Sequence, residues 1–210
     1  MSKSATEVLQ AYRRGQILTA ANEVIREQGY ARSSVDQIAK RAGLSRSTVY
    51  EYFSSKLEIL RGCFASQREV LAEELDRRID PAAGLEAQLA AFFEICLSRV
   101  DRNREFFRAI AFPLPLDEVT AAEGPGGAEV ALVIKHFNDA VSRILADGFE
   151  RGELVRPLAS SDRECLGTLI VGAMGARCRL DAPPDAAESA AGFARFALRG
   201  LGLVAQEEMQ

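Results

Sequence analysis

The 210-residue chain has one histidine, His136, and four cysteines, Cys63, Cys96, Cys165 and Cys178, none of them in a Cys-x-x-Cys pair. A lone imidazole and scattered thiols make no ligand set at metal-binding spacing. They fit small buried thiols in a reduced compartment, with no flanking basic cluster to mark one as a redox switch. Long apolar runs are also missing: Arg, Glu or Asp breaks each well short of the ~20 residues that span a bilayer. No basic-then-apolar leader opens the chain, so the expected location is cytoplasmic, with no membrane partner. A Gly-rich phosphate loop after a strand is absent, and the carboxylates are scattered on polar faces. No catalytic residue, metal or cofactor is therefore assigned, although a helical enzyme stays open as a rival reading.

What is present divides unevenly. The formal net charge is −4, yet residues 1–56 hold nine Lys/Arg against five Asp/Glu, a net +4, leaving −8 on residues 57–210. A modest basic module on an acidic body suits a nucleic-acid partner at one end and argues against unselective coating of DNA.

The most informative stretch is residues 33–56. Ser34 followed by Gln37 reads as a capping box, and Val35, Ile38, Ala39 and Ala42 recur at helical spacing. Gly43 supplies the left-handed residue that ends this helix, and Leu44 plugs the corner. Ser45 caps a second helix on which Val49 and Phe53 share one face, leaving Arg46, Ser47, Thr48, Tyr50 and Glu51 for the others. Ser55 and Glu58 open a third. Two short helices joined by a Gly-containing turn form a helix-turn-helix pattern, whose second helix enters the DNA major groove. The same spacing also suits an ordinary helical corner with Arg46 and Tyr50 solvated.

Residues 16–60 resemble the DNA-binding domain of the TetR family of bacterial transcriptional regulators. The likeness is carried by Gly29-Tyr30, Ile38-Ala39, Ala42-Gly43, Thr48-Val49-Tyr50 and Tyr52-Phe53-Ser54-Ser55-Lys56. It implies that Tyr50, Tyr52, Lys56 and the Ser34 helix start hold phosphates, while Arg46, Ser47 and Thr48, behind the Ser45 cap, read base edges. Asp36 departs from the family pattern, at a place where some members put a basic or polar base contact.

The remainder reads as helix throughout. A first helix over about 12–28 carries Ile17, Leu18, Ala21, Val24 and Ile25, after a polar stretch over 1–10; Lys3, Arg13 and Arg14 suit a solvated tail or a basic arm along the DNA backbone or a minor groove. Helices follow over 55–79, 84–100, 102–112, 128–150, 161–178 and 185–206, punctuated by Asp80-Pro81, by Pro113 and Pro115, by Gly124–Gly127 and by Pro183-Pro184. The expected fold is all-α with about nine helices: a DNA-binding domain over 1–56, then a helical effector-binding and dimerisation domain over 57–210.

Phe92, Phe93, Phe106, Phe107, Phe112 and Phe137 gather in the middle helices, with Ile110 beside them. Such spacing suits a core; the family resemblance implies instead a small, mostly apolar effector, with Cys96 and His136 as the softer or polar wall. Gly172 and Ala173 belong to a run of small residues, with Leu166, Leu169, Ile170, Phe193 and Phe196 between and after them. Several helical glycines together suggest a close approach of another helix. The resemblance implies that the last two helices pair across a two-fold axis. It thus implies a homodimeric repressor on a palindromic operator, released by its effector; a helical DNA-binding protein without an effector is the alternative.

Overall fold

The computed structural model describes residues 4–111 and 127–204. Among the described residues there are nine helices and no strand. They are α1 (Ala5–Gln28), α2 (Val35–Ala42), α3 (Arg46–Tyr52), α4 (Lys56–Arg78), α5 (Leu85–Arg102), α6 (Arg104–Ala111), α7 (Gly127–Glu150), α8 (Ser160–Arg179) and α9 (Ala186–Gly200). Lys3, Phe112, Pro113, Pro115 and the expected loop over 124–126 lie outside the described residues, as do the side chains of Ile110, Val130, Val133 and Ile134.

Two ends differ from the sequence reading by more than two residues. α1 begins at Ala5 rather than near Tyr12, because Ser4 and Glu7 form a capping box: the Glu7 N–H donates to Ser4 Oγ, and the Ser4 N–H to Glu7 Oε2. α9 stops at Gly200 rather than running on to 206, where Gly202 takes a φ of 60° and the Leu203 N–H returns to the Leu198 carbonyl.

The chain divides into two compact units, residues 1–68 with 105–131, and residues 69–104 with 132–210. In the first, α1 packs on α2 and α2 on α3, around Ile17, Ala21, Ile25, Ile38, Val49 and Phe53. The first turns of α4 add Ile59, Leu60, Cys63 and Phe64 to the same core. Gly62 is what lets α4 come so near: a Cβ there would meet Leu18 Cδ2 at 2.8 Å and the Phe53 ring at 3.0 Å. Burial pushes the Cys63 thiol up to about 12, which leaves it protonated and inert.

In the second unit α5 is the central helix, covered by α8 and α9. Its Leu89, Phe92 and Ile95 are fully buried. Ala190, Ala194 and Ala197 of α9 are buried too, so the alanine-rich face of the last helix is used inside the subunit. Two ion pairs close the ends of this unit. Arg177 of α8 is buried and donates to both Asp101 carboxylate oxygens and to the Pro184 carbonyl. Arg156 donates to both oxygens of Asp162 and to the Leu201 carbonyl, while Asp162 also accepts the Ala159 N–H at the start of α8.

Candidate nucleic-acid interface

The helix-turn-helix forms as its residues dictate. Gln37 and Ser34 exchange hydrogen bonds as a capping box, from the Gln37 N–H to Ser34 Oγ (3.3 Å) and from the Ser34 N–H to Gln37 Oε1 (2.8 Å). Gly43 ends α2 in the left-handed region (φ 66°), where its N–H and that of Leu44 reach back to the carbonyls of Lys40 and Ala39. Ser45 then caps α3: its Oγ accepts the Thr48 N–H (3.0 Å) and lies 2.8 Å from both Ser47 Oγ and Thr48 Oγ1.

α3 is two turns long, and Val49 and Phe53 anchor it inward at 0% and 1% exposure. The opposite side faces solvent with Arg46, Ser47, Tyr50 and Glu51; Thr48 is half-buried and Tyr50 is 42% exposed. Arg46 is held on the outside by two partners. Its Nη1 lies 3.2 Å from Asp36 Oδ2 on α2, and its guanidinium sits over the Tyr50 ring at 5.5 Å with a long 3.5 Å contact to the hydroxyl. The Asp36 that departs from the family pattern is thus the counter-charge of the arginine expected to read bases. A planar guanidinium presented this way can fork onto guanine O6 and N7 once it leaves the carboxylate.

The residues expected to hold phosphates differ in how open they are. Lys56 turns inward: its Nζ donates to the Tyr30 and Ser33 carbonyls, both at 3.0 Å, and lies 4.3 Å from the centre of the Tyr30 ring. An ammonium has three N–H donors, and two of these hold the corner that leads into α2. Tyr52 is half-buried against the core, and its carbonyl accepts from Arg14 Nη1 at 2.9 Å. Elsewhere on this unit Arg41 is neutralised by Glu27 and Glu23 (2.7 and 3.1 Å). The hydrogen bond from Arg41 holds the Glu27 carboxyl below the usual carboxylate range. Arg14, read from sequence as part of a solvated tail or a basic arm, donates instead to a backbone carbonyl of α3, and Gln16, which sequence reading missed, donates to one of α2; no local pattern around them announces a partner so far along the chain.

The residues expected around an effector separate between the two cores. Phe106 is buried with Phe64 edge-to-face (5.8 Å), and Phe107 packs beside it in the first unit. Phe92, Phe93, Cys96 and Phe137 are buried in the second, with Phe92 edge-on to both Phe93 and Phe137 at 5.6 and 6.1 Å. One set of six phenylalanines was expected because periodicity gives the face a residue occupies but not the partner it meets. His136 is half-buried, and its Nε2, shielded from solvent, has no hydrogen-bond partner among the described residues.

The expected dimer residues also divide. Leu166 and Ile170 are both 2% exposed and belong to the subunit's own core, so they are not available as an outward face. Leu169, Ala173 and Phe193 are half-buried. Gly172 is exposed, a Cβ on Gly172 or Gly175 would meet no neighbouring element within 4 Å among the described residues, and Phe196 is 60% exposed.

With this geometry in place, comparison with known proteins is direct. The family profile described as bacterial regulatory proteins, tetR family, matches residues 17–63. The chain is 31% identical over 201 residues to the HTH-type transcriptional activator FasR of Mycolicibacterium smegmatis, covering 91% of this chain and 84% of FasR. Over 139 residues it is 27% identical to the fatty acid metabolism regulator protein of Bacillus subtilis, covering 66% of this chain and 69% of that protein. Among solved structures, the transcriptional regulator FadR of Bacillus subtilis in complex with stearoyl-CoA matches with a TM-score of 0.70 and 25% identity, over 88% of this chain and 97% of FadR.

Proposed function

We propose, from the premise that this chain belongs to the tetR family of bacterial regulatory proteins, that it is a repressor whose hold on DNA is released by a long-chain fatty acyl thioester. As a member of that family it is a DNA-binding transcriptional regulator, and no described helix is long and apolar enough to cross a membrane. The observation that carries the DNA-reading assignment is the two-sidedness of α3, with Val49 and Phe53 buried and Arg46, Ser47 and Tyr50 turned out. Arg46, Ser47 and Thr48 are assigned to base edges, and Tyr50, Tyr52, Ser45 and the Ser34 helix start to phosphates. The functional division falls at residue 56, where α4 begins, although the first turns of that helix share the core of the DNA-reading part.

The chain acts as a homodimer, with α8 and α9 forming the two-fold contact through Gly172, Phe196 and the half-buried residues around them. Two reading helices then call for a palindromic operator with half-sites about one helical turn, ~34–36 Å, apart. An acyl chain suits the apolar wall of Phe92, Phe93, Cys96 and Phe137, and the His136 Nε2, unpartnered among the described residues, suits a polar group next to it. Those rings close on one another, so the ligand selects an opened arrangement of the core. A ligand that prefers the dimer with its reading helices spread weakens DNA binding by the same factor that DNA weakens its own.

The test is a fluorescence-anisotropy titration on a duplex enriched from a random-sequence pool, with and without stearoyl-CoA. Release of DNA as stearoyl-CoA rises is expected. Unaltered affinity at saturating stearoyl-CoA would remove the effector, and tighter binding would reverse its sign, making it a ligand that holds the protein on DNA.

A further inference from the structure

The DNA-reading role leaves two polar side chains of α1 unexplained. Arg14 and Gln16 are two positions apart, and they leave the helix on different flanks, because successive residues turn by about 100°. Each ends on a carbonyl that a helix terminus has left without an intrahelical partner. Gln16 Nε2 donates to the Ala42 carbonyl at 2.7 Å, the last residue of α2 before the turn. Gln16 is itself oriented by Arg13, whose Nη1 donates to its Oε1 at 3.1 Å. Arg14 Nη1 donates to the Tyr52 carbonyl at 2.9 Å, the last residue of α3, and its guanidinium lies 4.3 Å from the centre of the buried Phe53 ring.

The two contacts bracket the recognition helix. One fixes the chain just before the Gly43–Leu44 turn that launches α3, and the other fixes the end where α3 gives way to an extended residue, Phe53, with φ −143°. α3 has only seven residues and is anchored inward from its middle onward, by Val49, the half-buried Tyr52 and Phe53 just past its end, so its pose also depends on what fixes the chain on either side. A cation at a helix C-terminus also meets the negative end of the helix dipole, which favours this placement of Arg14. Base reading depends on side chains held within about 0.5 Å and 10–20° of their working geometry.

We propose that Arg14 and Gln16 are positioning residues for sequence reading: together they set the pose of α3, and through it the reach of Arg46 into the major groove. They act on selectivity rather than on the general attraction of the protein for DNA. This rests on the DNA-reading assignment of α3. An exposed arginine could instead touch a phosphate, and the two roles differ in what they do to salt dependence. A phosphate contact contributes about one unit to the slope of log affinity against log salt and carries no sequence information.

The experiment uses the full-length protein, a duplex enriched from a random pool by the unaltered protein, and a scrambled duplex of the same length. Affinity for both is measured over a range of salt for Arg14→Ala, Arg14→Lys and the charge-neutral Gln16→Met, with thermal melts alongside. Positioning predicts that Arg14→Ala and Gln16→Met each lower the preference for the enriched duplex roughly tenfold, the size of one base contact. It also predicts an unchanged salt slope on scrambled DNA. A slope lower by about one for Arg14→Ala, restored by Arg14→Lys, with selectivity intact, makes Arg14 a phosphate ligand and overturns the proposal. Should Arg14→Ala fail to fold, Gln16→Met decides alone, and retained selectivity in it is equally fatal. If the unaltered protein enriches no sequence at all, it is the DNA-reading assignment that falls.

Discussion

Arg46 and Asp36 stand on different helices of the helix-turn-helix and hold each other, with Nη1 3.2 Å from Oδ2 and both side chains more than 60% exposed. An ion pair this open is worth little to stability. Its effect is on DNA: the carboxylate competes with a guanine edge for the same guanidinium, and it brings a negative charge toward the phosphates. Asp36→Asn is therefore expected to tighten binding to all duplexes several-fold, with little change in melting temperature. Arg46→Ala should lose about tenfold on the enriched duplex and relax preference at one base pair. Titrations of both proteins against a panel of single-base variants check this. If Asp36→Asn binds no better than the unaltered chain, Asp36 supports the arginine instead of restraining it.

Phe92 is wholly buried, edge-on to Phe93 and Phe137. Phe92→Ala removes a ring from a filled core and should destabilise the protein by about 3–5 kcal/mol. A ligand whose chain fills the resulting void should recover part of that loss. Urea unfolding with and without stearoyl-CoA measures both quantities. Recovery that is no larger in the variant than in the unaltered protein would place the acyl chain elsewhere.

Leu166 and Phe196 separate folding from assembly. Leu166→Ala creates a core cavity and should cost about 2–5 kcal/mol in unfolding. Phe196→Lys alters a side chain that is already 60% exposed, so it should leave the melting of the subunit nearly unchanged while raising the dimer dissociation constant by an order of magnitude or more. Sedimentation equilibrium reads the second effect. A dimer as tight as the original would take Phe196 out of the two-fold contact.

Asp162 gives the pH dependence a definite sign. The hydrogen bonds from Arg156, helped by the Ala159 N–H, outweigh burial and hold its carboxyl below the usual range. A carboxyl that gives up its proton more readily when folded stabilises the protein fully above the ordinary value of ~3.9 and loses that contribution as pH falls through the lower folded value. Stability should therefore fall on the acid side of about pH 4, and Asp162→Asn should flatten that decline. Parallel acid limbs for the two proteins in urea-unfolding midpoints against pH would dismiss this role.

The parts of the fold that were legible in the sequence are those fixed by local chemistry. Ser34 with Gln37, Gly43 and Ser45 define two helix starts and a turn within a dozen residues, and each forms as its side chain requires. What was not legible depends on partners far away in the chain. Lys56 reads as a surface cation until Tyr30 and Ser33 offer it carbonyls, and Leu166 reads as interface until the subunit's own core takes it in. The first turns of α1 read as a polar tail because they bury nothing; the Ser4–Glu7 box sustains them without a core. Gln16 is the same kind of omission, and Arg14 reads as a basic arm or tail until the Tyr52 carbonyl offers it a partner.

The unequal burial of the four thiols has a practical consequence. Cys63, Cys96 and Cys178 are enclosed, whereas Cys165 on α8 opens to solvent in the protomer. A maleimide dye would then enter at one place without any cysteine having to be engineered in or out. The native chain carries its own attachment point for watching α8 as subunits meet.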